Sequence, residues 1–198
     1  MKKLLLASNN PDKATEVREL LAELSVDLAV LSDYPSYPPT VEDAGTLEGN
    51  ALKKAMEAYQ RTGIPSIGDD TGLEVHYLND QPGVYSSRFA GPNASYADNC
   101  AKLLRMLRGV PPRRRAAQFR CVIAFVQDER THHCVEGVCR GVILERPRGD
   151  GGFGYDPVFR PDGYAMTFGE MDLKVKNTLS HRARAIMTLK EYLRSRGW

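Results

Sequence analysis

The stretch Ile64-Pro65-Ser66-Ile67-Gly68-Asp69-Asp70-Thr71-Gly72-Leu73-Glu74-Val75 places two adjacent carboxylates between two apolar runs. Successive side chains of an extended strand point to opposite faces, so Asp69 and Asp70 can serve one centre only where the backbone turns. Gly68 and Gly72 tolerate the conformations a turn needs, and they predict a turn here. A strand that ends in a tight acidic turn can hold a divalent metal, because the scaffold fixes the carboxylates while the loop stays reachable. The same residues also suit a solvated D-D-T-G turn between two hairpin strands.

On the N-terminal side, Thr46 to Gly63 reads as a helix with Gly63 just past its end and Leu47, Ala51, Ala55 and Tyr59 facing inward. Asn50 and Lys54, four residues apart, share a face of it and suit ordinary helix-surface polarity. Glu42-Asp43 precede it in a loop. Further back, Leu4 to Ala7 is a short apolar run, as expected of a strand covered on both faces. Asn10 is a good N-cap and Pro11 a good first helical residue. The helix they open puts Ala14, Val17, Leu20, Leu21 and Leu24 on one face, and Val26 to Leu31 returns as a strand. This βαβ unit is expected to be parallel and right-handed. The N-terminus of its helix offers free N–H groups at the carboxyl end of the first strand, with Ser8 and Asn10 as neutral partners and Lys13 as a charge for phosphate. A well-capped helix carrying an exposed lysine fits the same residues.

On the C-terminal side, Leu73 to Tyr77 alternates as a strand and Asn79 to Gly83 turns the chain. Ser95 opens a helix through about Arg108, with Cys100, Leu103, Leu104 and Leu107 inward. Ala116 to Gln127 and His132 to Glu145 form an antiparallel hairpin through Asp128 to Thr131. In Arg148 to Pro157, four glycines, two aromatics and two acids allow close approach to a planar ligand, with Phe153 or Tyr155 to stack on it. Ser180 caps the last helix, whose Ala183, Ile186, Leu189 and Leu193 face inward. His181 and Arg182 in its first turn oppose the helix dipole, a misfit that an anionic ligand would relieve.

With 198 residues, 42% of them hydrophobic and 26% charged, one globular domain is expected. The net charge of +2 is too small for nucleic-acid binding by bulk electrostatics, and Arg113-Arg114-Arg115 reads as a solvated loop. Cys100, Cys121, Cys134 and Cys139 lack paired short spacings and read as reduced thiols. His132-His133-Cys134 has no second cluster at metal-site spacing and reads as strand-edge polarity. No signal peptide or membrane span is read, and a cytoplasmic protein is expected.

Five segments in register carry a resemblance: S-x-N-x-x-K at 8 to 13, N-A-x-x-K-A at 50 to 55, D-D-T-G-L at 69 to 73, G-G-F-G-Y-D-P at 151 to 157 and K-x-x-x-S-H-R at 176 to 182. Together they closely resemble the inosine/xanthosine triphosphate pyrophosphatase family over essentially the whole chain. The resemblance implies an elongated, two-lobed α/β fold with a long central mixed sheet flanked by helices, a nucleotide cleft between the lobes, and a homodimer. It implies Mg²⁺-dependent hydrolysis of inosine, deoxyinosine or xanthosine triphosphate to the monophosphate and pyrophosphate, which clears deaminated purines from the nucleotide pool. By the same resemblance Asp70 is the general base and a metal ligand, Glu42 the second ligand and Asp69 a supporting acid at the metal, with Asp43 or Glu48 as alternatives to Glu42. The run Ser8, Asn9, Asn10, Pro11, Asp12 and Lys13 is expected to meet the triphosphate together with Lys54 and Lys176, and Thr71 to lie near the sugar or phosphates. Phe153, Gly154, Tyr155 and Asp156 resemble the base-binding loop, with Phe153 stacking. His181 and Arg182 resemble the pair that reads the 6-keto group. The alternatives are a related pyrophosphatase for pyrimidine or modified nucleotides, a non-catalytic nucleotide sensor, and an RNA-binding module using Arg113 to Arg115.

Overall fold

The structure, a computed structural model, describes residues 1–34 and 37–198. In the first strand, β1 (Lys2–Leu6), Leu4 and Leu6 enter one hydrophobic cluster while Leu5, followed by Ala7, enters another. Both faces are covered, which is why this strand is apolar throughout instead of alternating. The chain then forms α1 (Pro11–Leu21) and returns as β2 (Val26–Val30), parallel to β1 with Leu4 opposite Leu28. Leu31, expected as the last strand residue, instead begins a single 3-10 turn. After α2 (Leu47–Thr62), β3 (Ser66–Val75) lies on the other side of β1, also parallel, with Leu5 opposite Ser66. The Thr46 hydroxyl caps α2 by accepting from the Gly49 N–H, and Gly63 ends it at φ +69°. Ala58 joins Leu47, Ala51 and Ala55 on the buried face, while Tyr59 is only half-buried.

The D-D-T-G segment does not turn. β3 runs ten residues through it without a break, so Asp69 and Asp70 project to opposite faces. Neither Gly68 nor Gly72 has a positive φ. Both are needed for the absence of a side chain: a Cβ on Gly68 would lie 2.1 Å from the Ala51 carbonyl oxygen of α2, and one on Gly72 would lie 2.6 Å from the Gly83 carbonyl oxygen. Gly83 ends β4 (Gln81–Gly83), which pairs antiparallel with β3. The separate strand expected at Leu73 to Tyr77 is therefore the continuation of β3, and it gives way to a 3-10 turn at His76–Leu78.

The chain continues through α3 (Tyr96–Met106), β5 (Ala116–Val126), β6 (His132–Ile143), β7 (Phe159–Pro161), α4 (Leu173–Leu179) and α5 (His181–Ser195). Ser95 and Asp98 form a reciprocal cap at the start of α3. β5 and β6 are neighbours joined by a short connection, which makes them an antiparallel hairpin, and β7 pairs antiparallel with β6. The result is a mixed α/β fold whose seven-stranded sheet has the order β2-β1-β3-β5-β6-β7, with β4 on β3. The short helix α4 was not read from the sequence.

The chain divides into two compact units, neither of them one continuous run: Met1–Asp70, Cys121–Gly137 and His181–Trp198 in the first, Thr71–Arg120 and Val138–Ser180 in the second. In the first, Val17 and Leu21 of α1 and Ile186, Leu189 and Leu193 of α5 pack with Leu4, Leu6, Ile67, Ile123 and Phe125. In the second, Leu73, Val75, Leu103, Leu107, Phe119, Phe159 and Phe168 form the core, with the Phe119 and Phe159 rings edge to face at 4.7 Å. The reading of Arg113 to Arg115 as solvated holds for the first two residues and fails for the third. Arg115 is buried, and its guanidinium donates to the carbonyls of Leu107, Ile143 and Leu144. All four cysteines are free thiols. Among the described residues no helix is long and apolar enough to cross a membrane.

Candidate active site

In the first unit, the Asn10 side chain accepts from the backbone N–H groups of Asp12 (2.9 Å) and Lys13 (3.1 Å), and the Ser8 hydroxyl accepts from the Asn10 N–H at 3.2 Å. These bonds fix the start of α1. Asn9 and Pro11 are exposed, while Ser8, Asn10, Asp12 and Lys13 are half-buried. Lys13 is aimed at β3: its Nζ lies 2.6 Å from Asp69 Oδ1 and 3.2 Å from the Asp69 carbonyl oxygen.

Asp69 lies within a buried ionic network. Arg182, from the first turn of α5 and 0% exposed, places Nε 2.7 Å from Asp69 Oδ2, Nη2 3.3 Å from Oδ1 and Nη1 2.5 Å from Glu16 Oε2. The Cys121 thiol donates to Asp69 Oδ2 at 3.4 Å. Burial alone would favour the neutral acid, but Arg182 and Lys13 override it and hold Asp69 well below the usual carboxylate range. Burial would likewise strip charge from Arg182, and Asp69 and Glu16 override it to raise its pKa further. The cation that opposes the α5 dipole is thus answered by two protein carboxylates, whereas the sequence pointed to a ligand. His181, beside it, is buried.

The opposite face of β3 is different. Asp70 Oδ1 lies 2.7 Å from Lys54 Nζ, and Oδ2 accepts from Asn50 Nδ2 at 3.2 Å. Lys54 Nζ is also 2.6 Å from Glu42 Oε1 and 3.3 Å from the Asp69 carbonyl oxygen. Asn50 and Lys54 are buried, so ordinary helix-surface polarity, one reading of their shared face, describes neither. Burial raises the Asp70 pKa, and the field of Glu42 adds to it against the opposing pull of Lys54 and Lys13. For Lys54, the two carboxylates overcome desolvation and raise its pKa. Asp43 is solvent-facing and paired with Lys53 at 2.6 Å. Glu42, not Asp43, therefore shares a cation with Asp70. Among the described residues no three His, Cys, Asp or Glu side chains gather into a metal cage.

In the second unit, Thr71 is half-buried on β3. Lys176 of α4 is buried, with Nζ 2.5 Å from Asp156 Oδ2 and 4.8 Å from the centre of the Phe153 ring. Asp156 Oδ2 also accepts from the Phe153 N–H at 2.8 Å, so one carboxylate organises the loop and its lysine. Phe153 is half-buried, 6.0 Å from the Tyr96 ring. Tyr155, the other aromatic considered for stacking, is a core residue whose hydroxyl donates to the Ser86 carbonyl at 2.9 Å. Gly154 offers its carbonyl to the Cys100 thiol, whose pKa burial pushes up to about 11, with help from Asp156.

A sequence model of the Ham1 family matches residues 4–192. The chain belongs to the Ham1 family. It is 45% identical over 191 residues to the dITP/XTP pyrophosphatase of Desulforamulus reducens, covering 96% of this chain and 95% of that protein. To the dITP/XTP pyrophosphatase of Geobacter sulfurreducens it is 45% identical over 198 residues, covering 100% and 98%. Its fold matches a HAM1 protein from Coxiella burnetii with a TM-score of 0.89 at 38% identity, over 98% of this chain and 100% of that one. The resemblance drawn from the five sequence segments is thereby borne out.

Within this Ham1-family chain, sequence reasoning passed over Glu16, Cys121 and the role of Asn50. Glu16 stands three residues after Lys13 and next to the buried Val17, spacing that places it on the inward side of α1. Asn50 sits one residue before Ala51 on the inner stripe of α2. A polar side chain embedded in an apolar stripe was the available signal in both cases.

Proposed function

We propose that this Ham1-family chain hydrolyses nonstandard purine nucleoside triphosphates (inosine, deoxyinosine and xanthosine triphosphate) between the α and β phosphates, releasing the monophosphate and pyrophosphate. The observation that carries the proposal is the Asp70 face of β3, where a carboxylate with a raised pKa lies within 2.7 Å of an ammonium that a second carboxylate shares. A base with its pKa moved toward neutrality is suited to accept a proton from an attacking water. Pyrophosphate cleavage also needs cations around a polyanion, and Lys13 and Lys54 supply two from separate helices. The names of the relatives, dITP/XTP pyrophosphatases, support the substrate class and the hydrolase chemistry.

Magnesium fits the donor set. Glu42 and Asp70 already converge on one cation, the Lys54 ammonium, at 2.6 and 2.7 Å. Both are hard oxygen donors, and Mg²⁺ characteristically takes one or two carboxylates, with phosphate and water completing its shell. Glu42 and Asp70 would hold it, and when bound it would neutralise charge on the phosphate oxygens. The oxygens of Asp69 already face Arg182 and Lys13, so we assign that residue to holding the frame and not to the metal.

Arg182 and His181 are the residues we assign to selecting a 6-keto base. A guanidinium only donates, so in that role it would suit a keto oxygen and not the amino group of adenine. Phe153 is assigned to stacking and Lys176 to the phosphates. The enzyme is proposed to work in the cytoplasm as a homodimer. The test is pyrophosphate release from inosine, deoxyinosine, xanthosine, adenosine, guanosine and pyrimidine triphosphates, with Mg²⁺ and with chelator. Release confined to the deaminated purines and dependent on the metal is expected. Preference for a pyrimidine would establish the related pyrophosphatase instead, and tight binding without release a sensor.

A further inference from the structure

We infer that Asn50 is a positioning residue that closes a ring around the reacting carboxylates, tying Asp70 to the loop that carries Glu42; the inference rests on the reading of those two residues given above. Asn50 is 0% exposed on α2, four residues before Lys54. Its Oδ1 accepts from the backbone N–H of Ala44 at 3.0 Å, and its Nδ2 donates to Asp70 Oδ2 at 3.2 Å. Ala44 stands two residues after Glu42. The two oxygens of Asp70 are thus held from adjacent turns of one helix, Oδ1 by Lys54 and Oδ2 by Asn50. Each of those residues also reaches the 42–44 loop, Lys54 through the Glu42 carboxylate and Asn50 through the Ala44 backbone.

The two contacts of Asn50 determine each other. A backbone N–H can only donate, so it fixes which end of the amide is oxygen. The nitrogen end is left facing Asp70, as a donor to a carboxylate. A flipped amide would set N–H against N–H and oxygen against oxygen. No other side chain of this size does both: aspartate would bring a second negative charge to Asp70, and leucine would leave the Ala44 N–H and an Asp70 oxygen unmet in a buried site. Asn50 therefore sets where Asp70 points and how far the Glu42 loop stands from it, without itself touching substrate.

Two variants separate this role from a merely structural one, Asn50→Ala and Asn50→Asp. Three readouts are taken: hydrogen exchange of the Ala44 amide, binding of Mn²⁺ to the substrate-free protein by electron paramagnetic resonance, and kcat and KM on inosine triphosphate. For Asn50→Ala, Ala44 should exchange about tenfold faster, as expected for one lost hydrogen bond. Mn²⁺ affinity and kcat should each fall about 10–100-fold, the usual loss when a partner of a metal ligand is removed. KM should stay within about twofold, because no substrate contact is lost. Asn50→Asp keeps the acceptor for Ala44, so that amide should remain protected while kcat falls. Unchanged Ala44 exchange in Asn50→Ala, or wild-type kcat in either variant, would overturn the inference. Should Asn50→Ala not fold, the isosteric Asn50→Asp decides. A wild-type protein that released no pyrophosphate would sink the functional reading instead, and Ala44 exchange would still report on the ring.

Discussion

On one face of β3, Asp69 meets a guanidinium, an ammonium and a thiol; on the other, its neighbour Asp70 meets one ammonium, one amide and the field of a second carboxylate. Both are buried, so desolvation pushes both toward the neutral acid. At Asp69 the guanidinium of Arg182 and the ammonium of Lys13 outweigh burial and pull it far down, while at Asp70 burial, with the field of Glu42, outweighs the pull of Lys54 and Lys13. Two adjacent carboxylates driven in opposite directions can take different roles, one a permanent anion that holds the frame and the other a base that exchanges protons.

The signs with respect to pH differ accordingly. Asp69 has a depressed pKa in the folded state, so its stabilisation is present above the unfolded carboxylate pKa and is lost as pH falls through the folded value. Asp70 has a raised pKa, so any stabilisation from it is present below the unfolded value and is lost as pH rises through the folded one. Near neutrality Asp69 supports the fold, while burial works against the ionised form of Asp70.

The largest effect should come from Asp69→Ala, which leaves Arg182 and Lys13 without the carboxylate they share. A loss of about 3–5 kcal/mol in urea-unfolding free energy is expected, as for breaking one side of a buried ion pair. A loss under about 1 kcal/mol, the range of exposed pairs, would break the contrast between the faces. Next, Lys13→Ala should raise KM for inosine triphosphate about tenfold, in line with losing a charge-assisted hydrogen bond of about 1.5–3 kcal/mol. An unchanged KM would confine Lys13 to the Asp69 network. The acid limb of kcat/KM should lie above the pKa of an unburied aspartate, with activity lost as pH falls through the raised Asp70 value; a limb at or below that of an unburied aspartate would deny Asp70 the part of base. The smallest effect is expected from Phe153→Ala. A severalfold rise in KM, about 0.5–1.5 kcal/mol for a lost ring contact, should leave the acid limb in place. A moved limb would tie that loop to the Asp70 proton.

Local chemistry was legible in the chain. Asn10 before Pro11 and Ser95 at helix starts, and Gly63 as a helix stop, each act within a turn of their own position, and the structure has them there. The turn at Asp69 and Asp70 was misread because glycine serves two purposes that look alike in sequence. Gly68 and Gly72 are required by the carbonyls of Ala51 and Gly83 against which they pack, and only the folded chain brings those partners together. The same holds for Arg182, whose counter-ions lie 113 and 166 residues away along the chain. Its charge at a helix N-terminus was a correct anomaly, and the counter-ions that answer it are remote in sequence. Asn50 and Lys54 were found on a common face, but their burial depends on where β3 passes, which helical spacing alone does not reveal.

The most direct test of the account is Asp70→Asn, read at once for pyrophosphate release from inosine triphosphate with Mg²⁺ and for urea unfolding at neutral pH. Turnover should fall about 10²–10⁴-fold, the usual share of a general base. The unfolding midpoint should match or exceed that of the parent, because a carboxylate whose ionisation burial opposes has been removed. Turnover within about threefold of the parent would contradict the assignment of Asp70 as the base, since a lost base costs at least tenfold more.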